Sequence, residues 1–201
     1  MLFTDKYLSI AEPTESNLRE RGSRFLGFAL PVNSEAAFKI ELVRLRAQFP
    51  DATHHCWGLV LGPGAQFQKS SDDGEPSNSA GKPILRAILS QNLSDVGVIV
   101  VRYFGGTQLG VPGLINAYRN TAAEALAKAQ RIDKLIENYF IVSVDYFYES
   151  DLWRFVKLLE ARIVNKWMTN LIEVEFAVPV SKSEKVFSLA KDFFHLKLQT
   201  K

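Results

Sequence analysis

Val96-Gly97-Val98-Ile99-Val100-Val101-Arg102-Tyr103-Phe104 runs directly into Gly105-Gly106-Thr107-Gln108-Leu109-Gly110-Val111-Pro112-Gly113. The first part is a near-continuous β-branched run, the pattern of a buried strand. The second is a glycine-rich connection, and the alanine-rich stretch from Leu114 to about Arg131 then reads as a long helix. Strand, glycine loop and helix in that order can present backbone N–H groups to an anion, because a helix start carries unpaired donors. The dinucleotide fingerprint needs Gly-x-Gly at the turn and is not met. A second reading stands beside the anion reading: the glycines supply positive φ or let two backbones approach.

Upstream, Lys6–Ala11 and Ser23–Val32 read as strands separated by a polar, proline-containing stretch, Glu12–Arg21. Ser34 is placed to cap a helix in which Ala36, Ile40, Val43 and Ala47 share one face, and Pro50 stops it. His54–Leu61 is the next strand, closed by Gly62-Pro63-Gly64. A long polar loop, Ala65–Lys82, leads to a short helix over Pro83–Leu93, with proline at its first position.

Downstream, the pattern restarts near Leu135–Glu137. Asn138–Tyr146, Val164–Thr169, Leu171–Val178 and Leu196–Thr200 read as strands, with helices over Glu149–Arg162 and Ser181–Phe194. That order is β-α-β-β-α-β, the split-βαβ, ferredoxin-like arrangement. Leu152, Phe155, Val156 and Leu159 form the apolar face of the first of these helices, and Trp153 and the Phe193-Phe194 pair are read as packing. The sequence thus predicts an α+β protein of two domains, residues 1–135 and 136–201.

Composition narrows the function classes. The 201 residues are 47% hydrophobic and 23% charged, a globular balance. Residues 1–135 hold 15 basic and 13 acidic side chains, and the rest hold 9 of each, so neither part is an electrostatic specialist. One cysteine excludes an internal disulfide framework and a cysteine-rich zinc site. The opening Met1–Ile10 lacks the apolar core of a secretory leader, and no apolar run is long enough to span a bilayer. The expectation is a cytoplasmic protein without a membrane partner.

The most unusual segment is Ser70-Ser71-Asp72-Asp73-Gly74-Glu75-Pro76-Ser77-Asn78-Ser79-Ala80-Gly81-Lys82-Pro83. Three carboxylates within four residues need solvent, a cation or basic side chains. Oxygen ligands would suit a hard metal, although the spacing fails the EF-hand pattern. Alternatively this is a solvated loop whose Asp-Gly and proline set turns and whose Ser and Asn cap the next helix. Gly81-Lys82 lacks the remainder of a phosphate-loop motif. In His54-His55-Cys56, alternation along a strand puts His54 and Cys56 on one face, and Cys56 reads as packing. Arg102, Tyr103 and Arg119 would favour a phosphate-bearing partner if they cluster.

Asp72-Asp73-Gly74-Glu75-Pro76 with Ala80-Gly81-Lys82-Pro83-Ile84-Leu85, and Arg102-Tyr103-Phe104-Gly105-Gly106 with Leu109-Gly110, Gly113-Leu114 and Ala117-Tyr118, resemble the two signature blocks of the YigZ/IMPACT family. Ala52-Thr53-His54-His55-Cys56 and Gly22-Ser23-Arg24-Phe25 resemble a third and a fourth. The chain departs from the family pattern at His55, at Asn78-Ser79, at Pro112-Gly113 and at Asn116. The last change removes a cation beside the glycine loop, and Arg119 lies one helical turn on.

The resemblance implies an N-terminal domain like the second domain of ribosomal protein S5 and a ferredoxin-like C-terminal domain. It also implies a link to translation: eukaryotic members compete for the activator of a starvation-responsive initiation-factor kinase. The expectation is a non-catalytic binding or regulatory protein that recognises structured RNA, the ribosome or a translation-regulating protein. Its binding set is expected to include His54, Asp72, Asp73, Glu75 and Lys82 from the acidic side. Arg102, Tyr103, Gly105, Gly106, Gly110, Gly113 and Arg119 would come from the glycine side. The two segments should lie side by side, with Lys82, Arg102 or Arg119 neutralising the carboxylates. No cofactor and no catalytic residue is expected. The alternatives are a metal-dependent hydrolase built on Asp72, Asp73, Glu75 and His54, and a pure protein-interaction module.

Overall fold

The computed structural model describes residues 5–201, so the first four residues of the opening stretch read above lie outside it. It is a mixed structure of helices and sheets in two compact units, Tyr7–Lys134 and Leu135–Lys201, the latter joined by Asp5 and Lys6.

The larger unit contains β1 (Lys6–Ile10), β2 (Thr14–Glu20), β3 (Ser23–Pro31), α1 (Glu35–Gln48), β4 (His54–Leu61), β5 (Phe67–Ser71), α2 (Gly81–Leu89), β6 (Val96–Tyr103), α3 (Gly110–Lys128) and β7 (Arg131–Leu135). Five strands form one antiparallel sheet in the order β2-β3-β6-β4-β5, and β1 pairs with β7. The alternation along β6 divides the core. Val96, Val98 and Val100 pack with Phe25, Cys56, Ile84, Ile88, Leu114 and Tyr118 under α2 and α3. Ile99 and Val101 pack with Phe28, Leu59, Phe38, Leu42 and Leu45 under α1. A central strand covered on both faces needs apolar side chains at nearly every position, which is what the β-branched run supplies.

Several sequence expectations need correction here. The polar stretch Glu12–Arg21 contains β2; of its inward residues only Leu18 is apolar, and Thr14 Oγ1 and Ser16 Oγ donate to the carbonyls of Ala125 and Thr121 in α3, at 2.7 Å each. The loop Ala65–Lys82 contains β5, an edge strand with little buried surface and so no apolar alternation. On α1 the buried face is Phe38, Leu42 and Leu45, while Ile40 and Val43 point to solvent. The long helix starts at Gly110 and ends at Lys128, and Arg131 already belongs to β7.

The smaller unit contains β8 (Glu137–Val144), α4 (Glu149–Leu158), β9 (Arg162–Met168), β10 (Ile172–Pro179), α5 (Ser183–Ala190) and β11 (Lys197–Thr200). Its antiparallel sheet has the order β11-β8-β10-β9. Phe140, Val142, Val174 and Phe176 meet Leu152, Phe155, Val156 and Leu159 in its core. Phe193 is buried there, but its neighbour Phe194 is 83% exposed and lies outside that core, its ring against His195.

Candidate functional site

Register brings the signature segments to one corner of the five-stranded sheet. Arg102 on β6 pairs with Phe25 on β3 and with His54 on β4. By strand alternation these three point to the same side as Cys56, towards α2 and α3. The acidic segment leaves β5 and folds back over this row before entering α2.

Each of its carboxylates turns to a different partner. Asp72 reaches the start of α2: Oδ1 accepts from the N–H groups of Ala80 at 3.0 Å and Gly81 at 2.8 Å, and Oδ2 accepts from Asn78 N–H at 2.8 Å. A carboxylate there satisfies orphan donors and complements the helix dipole. The start of α2 is therefore filled by the chain's own anion. Asp73, with φ of 44°, accepts from Arg46 Nη2 and from the His55 backbone N–H, both at 2.7 Å. Glu75 is buried, and its Oε1 accepts from Arg102 Nη1 at 2.6 Å and from Tyr118 Oη at 2.7 Å.

His54 bridges the row to the loop. Its Nδ1 lies 2.8 Å from the Asp73 carbonyl and its Nε2 is 3.9 Å from Glu75 Oε1. Cys56 Sγ lies 2.9 Å from the Asp72 carbonyl and 3.3 Å from Tyr118 Oη. Burial pushes the Cys56 thiol far above its ordinary range, and Tyr118 likewise, so neither supplies an anionic nucleophile at neutral pH. The Arg102 guanidinium lies 5.4 Å from both the Phe25 and the Phe104 ring. Its Nε and His55 Nε2 are buried without a hydrogen-bond partner among the described residues.

The glycine segment closes the same corner. Gly105 N–H donates to Ser23 Oγ at 3.2 Å, and Phe104 N–H donates to Thr53 Oγ1 at 3.1 Å. A Cβ on Gly105 would fall 2.0 Å from the Gly22 carbonyl carbon, so the turn between β2 and β3 and the glycine loop touch backbone to backbone. Gly106 and Gly110 both have positive φ, and Gly110 opens α3, which has no side-chain cap. Gly113 lies in the first turn of that helix. With Arg21, Leu109, Asn116 and Asn120 it lines a groove of about 430 Å³ between β2 and α3.

The sequence-derived candidates therefore separate. His54, Asp72, Asp73, Glu75, Arg102 and Gly105 form one connected corner. Lys82 is exposed on α2. Tyr103 points to the other face of β6, where its hydroxyl donates to Asp51 at 3.1 Å. Arg119 is exposed on α3 and donates to Asn116 Oδ1 at 2.9 Å. Neutralisation thus comes from Arg102 and from Arg46, a residue absent from the expected set. Tyr118, Ser23 and Gly22 were also absent from it, although they stand in the quoted motifs. Among the described residues, no three His, Cys, Asp or Glu side chains form a group able to hold a metal ion. The acidic loop does not fit the hard-metal reading, because its carboxylates diverge to structural partners.

The sequence model of the Impact N-terminal domain matches residues 21–126. IMPACT family member YvyE of Bacillus subtilis is 31% identical over 178 residues, 89% of this chain and 81% of that protein. IMPACT family member YigZ of Escherichia coli is 28% identical over 197 residues, 97% of each chain. A crystal structure described as a hypothetical protein superimposes with a TM-score of 0.79 at 28% identity, covering 98% of this chain and 97% of the other. On this matched length and identity, the chain belongs to the IMPACT family.

Proposed function

We propose that the protein is a translation-associated binding or regulatory protein that performs no covalent chemistry and recognises RNA on a ribosomal or tRNA-like surface. The observation that carries this reading is the inward engagement of Asp72, Asp73 and Glu75. With all three carboxylates holding the fold, the corner offers no nucleophile–base pair to a substrate. What it leaves to solvent is the loop Phe104–Gln108, the uncapped start of α3 and the side chains of Arg21, Arg24 and Arg119. Backbone donors and a few cations around a shaped groove suit local, shape-directed contact with phosphates. Arg102 is not one of the contacting cations, because its guanidinium is enclosed between Glu75 and two rings. The larger unit then corresponds to the ribosomal protein S5 domain 2-like domain, residues 1–135. The smaller corresponds to a ferredoxin-like domain, residues 136–201, whose strand order and β-α-β-β-α-β succession support that reading. The protein works in the cytoplasm and needs no cofactor.

The test is a titration of the full chain with ribosomes, tRNA and model RNA duplexes at several salt concentrations. Two to four phosphate contacts give a log–log salt slope of roughly −2 to −4, and Arg21→Ala or Arg119→Ala reduces it by about one each. Absence of binding to all three, together with metal-dependent turnover of a phosphoester or amide that Asp73→Ala abolishes, would establish the hydrolase instead.

A further inference from the structure

Helix α1 is apolar on two sides. Phe38, Leu42 and Leu45 hold it on the sheet. Ala36, Ile40, Val43 and Ala47, spaced i, i+4, i+7 and i+11, form a second stripe, and all four are exposed, Ile40 by 69% and Val43 by 66%. One apolar stripe suffices to seat a helix on its own domain. Helix propensity accounts for Ala36 and Ala47 but not for Ile40 and Val43 between them, since β-branched residues are poorer helix formers than the charged residues common on solvent faces. Scattered apolar side chains on a surface are ordinary, but a continuous helical stripe is the pattern of a docking face.

The flanks of the stripe carry one sign of charge. At about 100° per residue, Lys39 and Arg46 fall on one side and Arg44 on the other. Their side chains are 68%, 48% and 51% exposed. Their carboxylate partners Glu35, Glu41 and Asp73 lie outside this rim: the two on α1 itself fall more than about 100° from the centre of the stripe.

We propose that this stripe docks an acidic amphipathic helix of a partner protein. The small Ala36 and Ala47 at the ends and the Ile40–Val43 ridge between them let a second helix approach closely, ridge into groove. Cations on both flanks select carboxylates beside the partner's apolar seam, as flanking charges do in paired helices. A second copy of this chain is a poor occupant. An antiparallel pair about a two-fold axis sets each flank against itself, Lys39 and Arg46 facing their own equivalents, and like charges oppose association. A bilayer is also a poor occupant, because the stripe has no Trp, Phe or Leu to insert. The stripe is only about 16 Å long, which makes the contact a transient one. It lies on the face of the sheet opposite α3, so this surface stands or falls independently of RNA binding at the glycine loop.

The experiment titrates isotope-labelled full chain with two stapled helical peptides of about four turns. Both have Leu at i, i+4, i+7 and i+11; one is flanked by Glu and the other by Lys. The expected result is that the Glu peptide shifts the amide resonances of α1 around Ile40 and Val43, and the Lys peptide does not. Ile40→Ser with Val43→Ser weakens binding at least about tenfold without lowering the melting temperature, since both side chains are exposed. Lys39→Glu with Arg44→Glu transfers the preference to the Lys peptide. Equal response to both peptides, shifts confined to other elements, or no shift overturns the proposal. So does concentration-dependent self-association, or binding to phosphatidylglycerol vesicles, that the double serine variant abolishes.

Discussion

Glu75 Oε1 accepts from Arg102 Nη1 at 2.6 Å, and both side chains are almost completely buried. Removing one member of a buried pair strands the other charge, at a cost of about 3–5 kcal/mol. Arg102→Ala is therefore expected to lower the free energy of urea unfolding by that order. Glu75→Gln, which retains an acceptor for Tyr118, should cost less than Glu75→Ala. An Arg102→Ala protein of unchanged stability that has lost RNA affinity would return Arg102 to the ligand surface.

Asp72 acts as the anion at the start of α2, bonded to the N–H groups of Ala80 and Gly81. Loss of such a capping acceptor typically costs about 1 kcal/mol, with a range of ~0.5–2. Asp72→Ala should fall at the upper end, because Asn78 N–H also loses its acceptor. Asp72→Asn keeps one acceptor oxygen and should retain part of the loss. Amide hydrogen exchange at Ala80 and Gly81 reports the effect locally, with acceleration in Asp72→Ala as the expected outcome.

Two groups on the larger unit contribute to its response to acid. Burial is the main influence lowering the pKa of His55 below 6.5, with Arg46 acting in the same direction and the Asp73 charge opposing it. The unfolded chain then binds the proton more readily, so stability rises with pH up to about the unfolded value and is lost as pH falls through the folded one. For Asp95, burial works to raise the pKa, but Lys134, the Tyr7 hydroxyl and the Gly62 N–H outweigh it and hold it below 3.8. Its stabilisation is present above that value and lost in stronger acid. Urea midpoints measured from about pH 7.5 down to 3 should show a decline beginning below about pH 6.5, flattened by His55→Asn, and a steeper one below pH 4, reduced by Asp95→Asn.

Legibility in the sequence followed the source of each element's stabilisation. β6 could be read because a strand buried on both faces must be apolar at consecutive positions. α4 could be read because its only packed face carries Leu152, Phe155 and Val156. β2 could not, because Thr14 and Ser16 attach it to α3 by hydroxyl–carbonyl bonds and Leu18 alone of its inward residues is apolar, which leaves no hydrophobic period. On α1 two apolar stripes coexist, and periodicity alone does not say which one meets the sheet. At the candidate site, the motifs named most of the participants. Their partnerships depend on contacts between distant positions: Arg46 with Asp73 is 27 residues apart and Tyr118 with Glu75 is 43. Arg102 was thus readable as important, whereas its burial, and so its unavailability to a ligand, was not.

The adjacent glycines of the loop should differ sharply in tolerance. Gly105 faces the Gly22 peptide, and a Cβ there would lie 2.0 Å from the Gly22 carbonyl carbon and 2.4 Å from Ser23 N. Both obstacles are backbone, so relief requires the turn between β2 and β3 to separate from the loop, breaking the Gly105 N–H bond to Ser23 Oγ. Gly106 has nothing within 4 Å of its Cβ position, but its φ is +84°. Alanine at Gly106 therefore carries only a local conformational penalty, of about 1 kcal/mol. Gly105→Ala should cost several-fold more in urea unfolding, on the scale of backbone displacement near a packed core. It should also shift amide resonances of both Gly22 and Ser23, whereas Gly106→Ala should leave those two unmoved. Equal stability losses for the two variants would mean that the Gly22–Gly105 contact does not hold in solution.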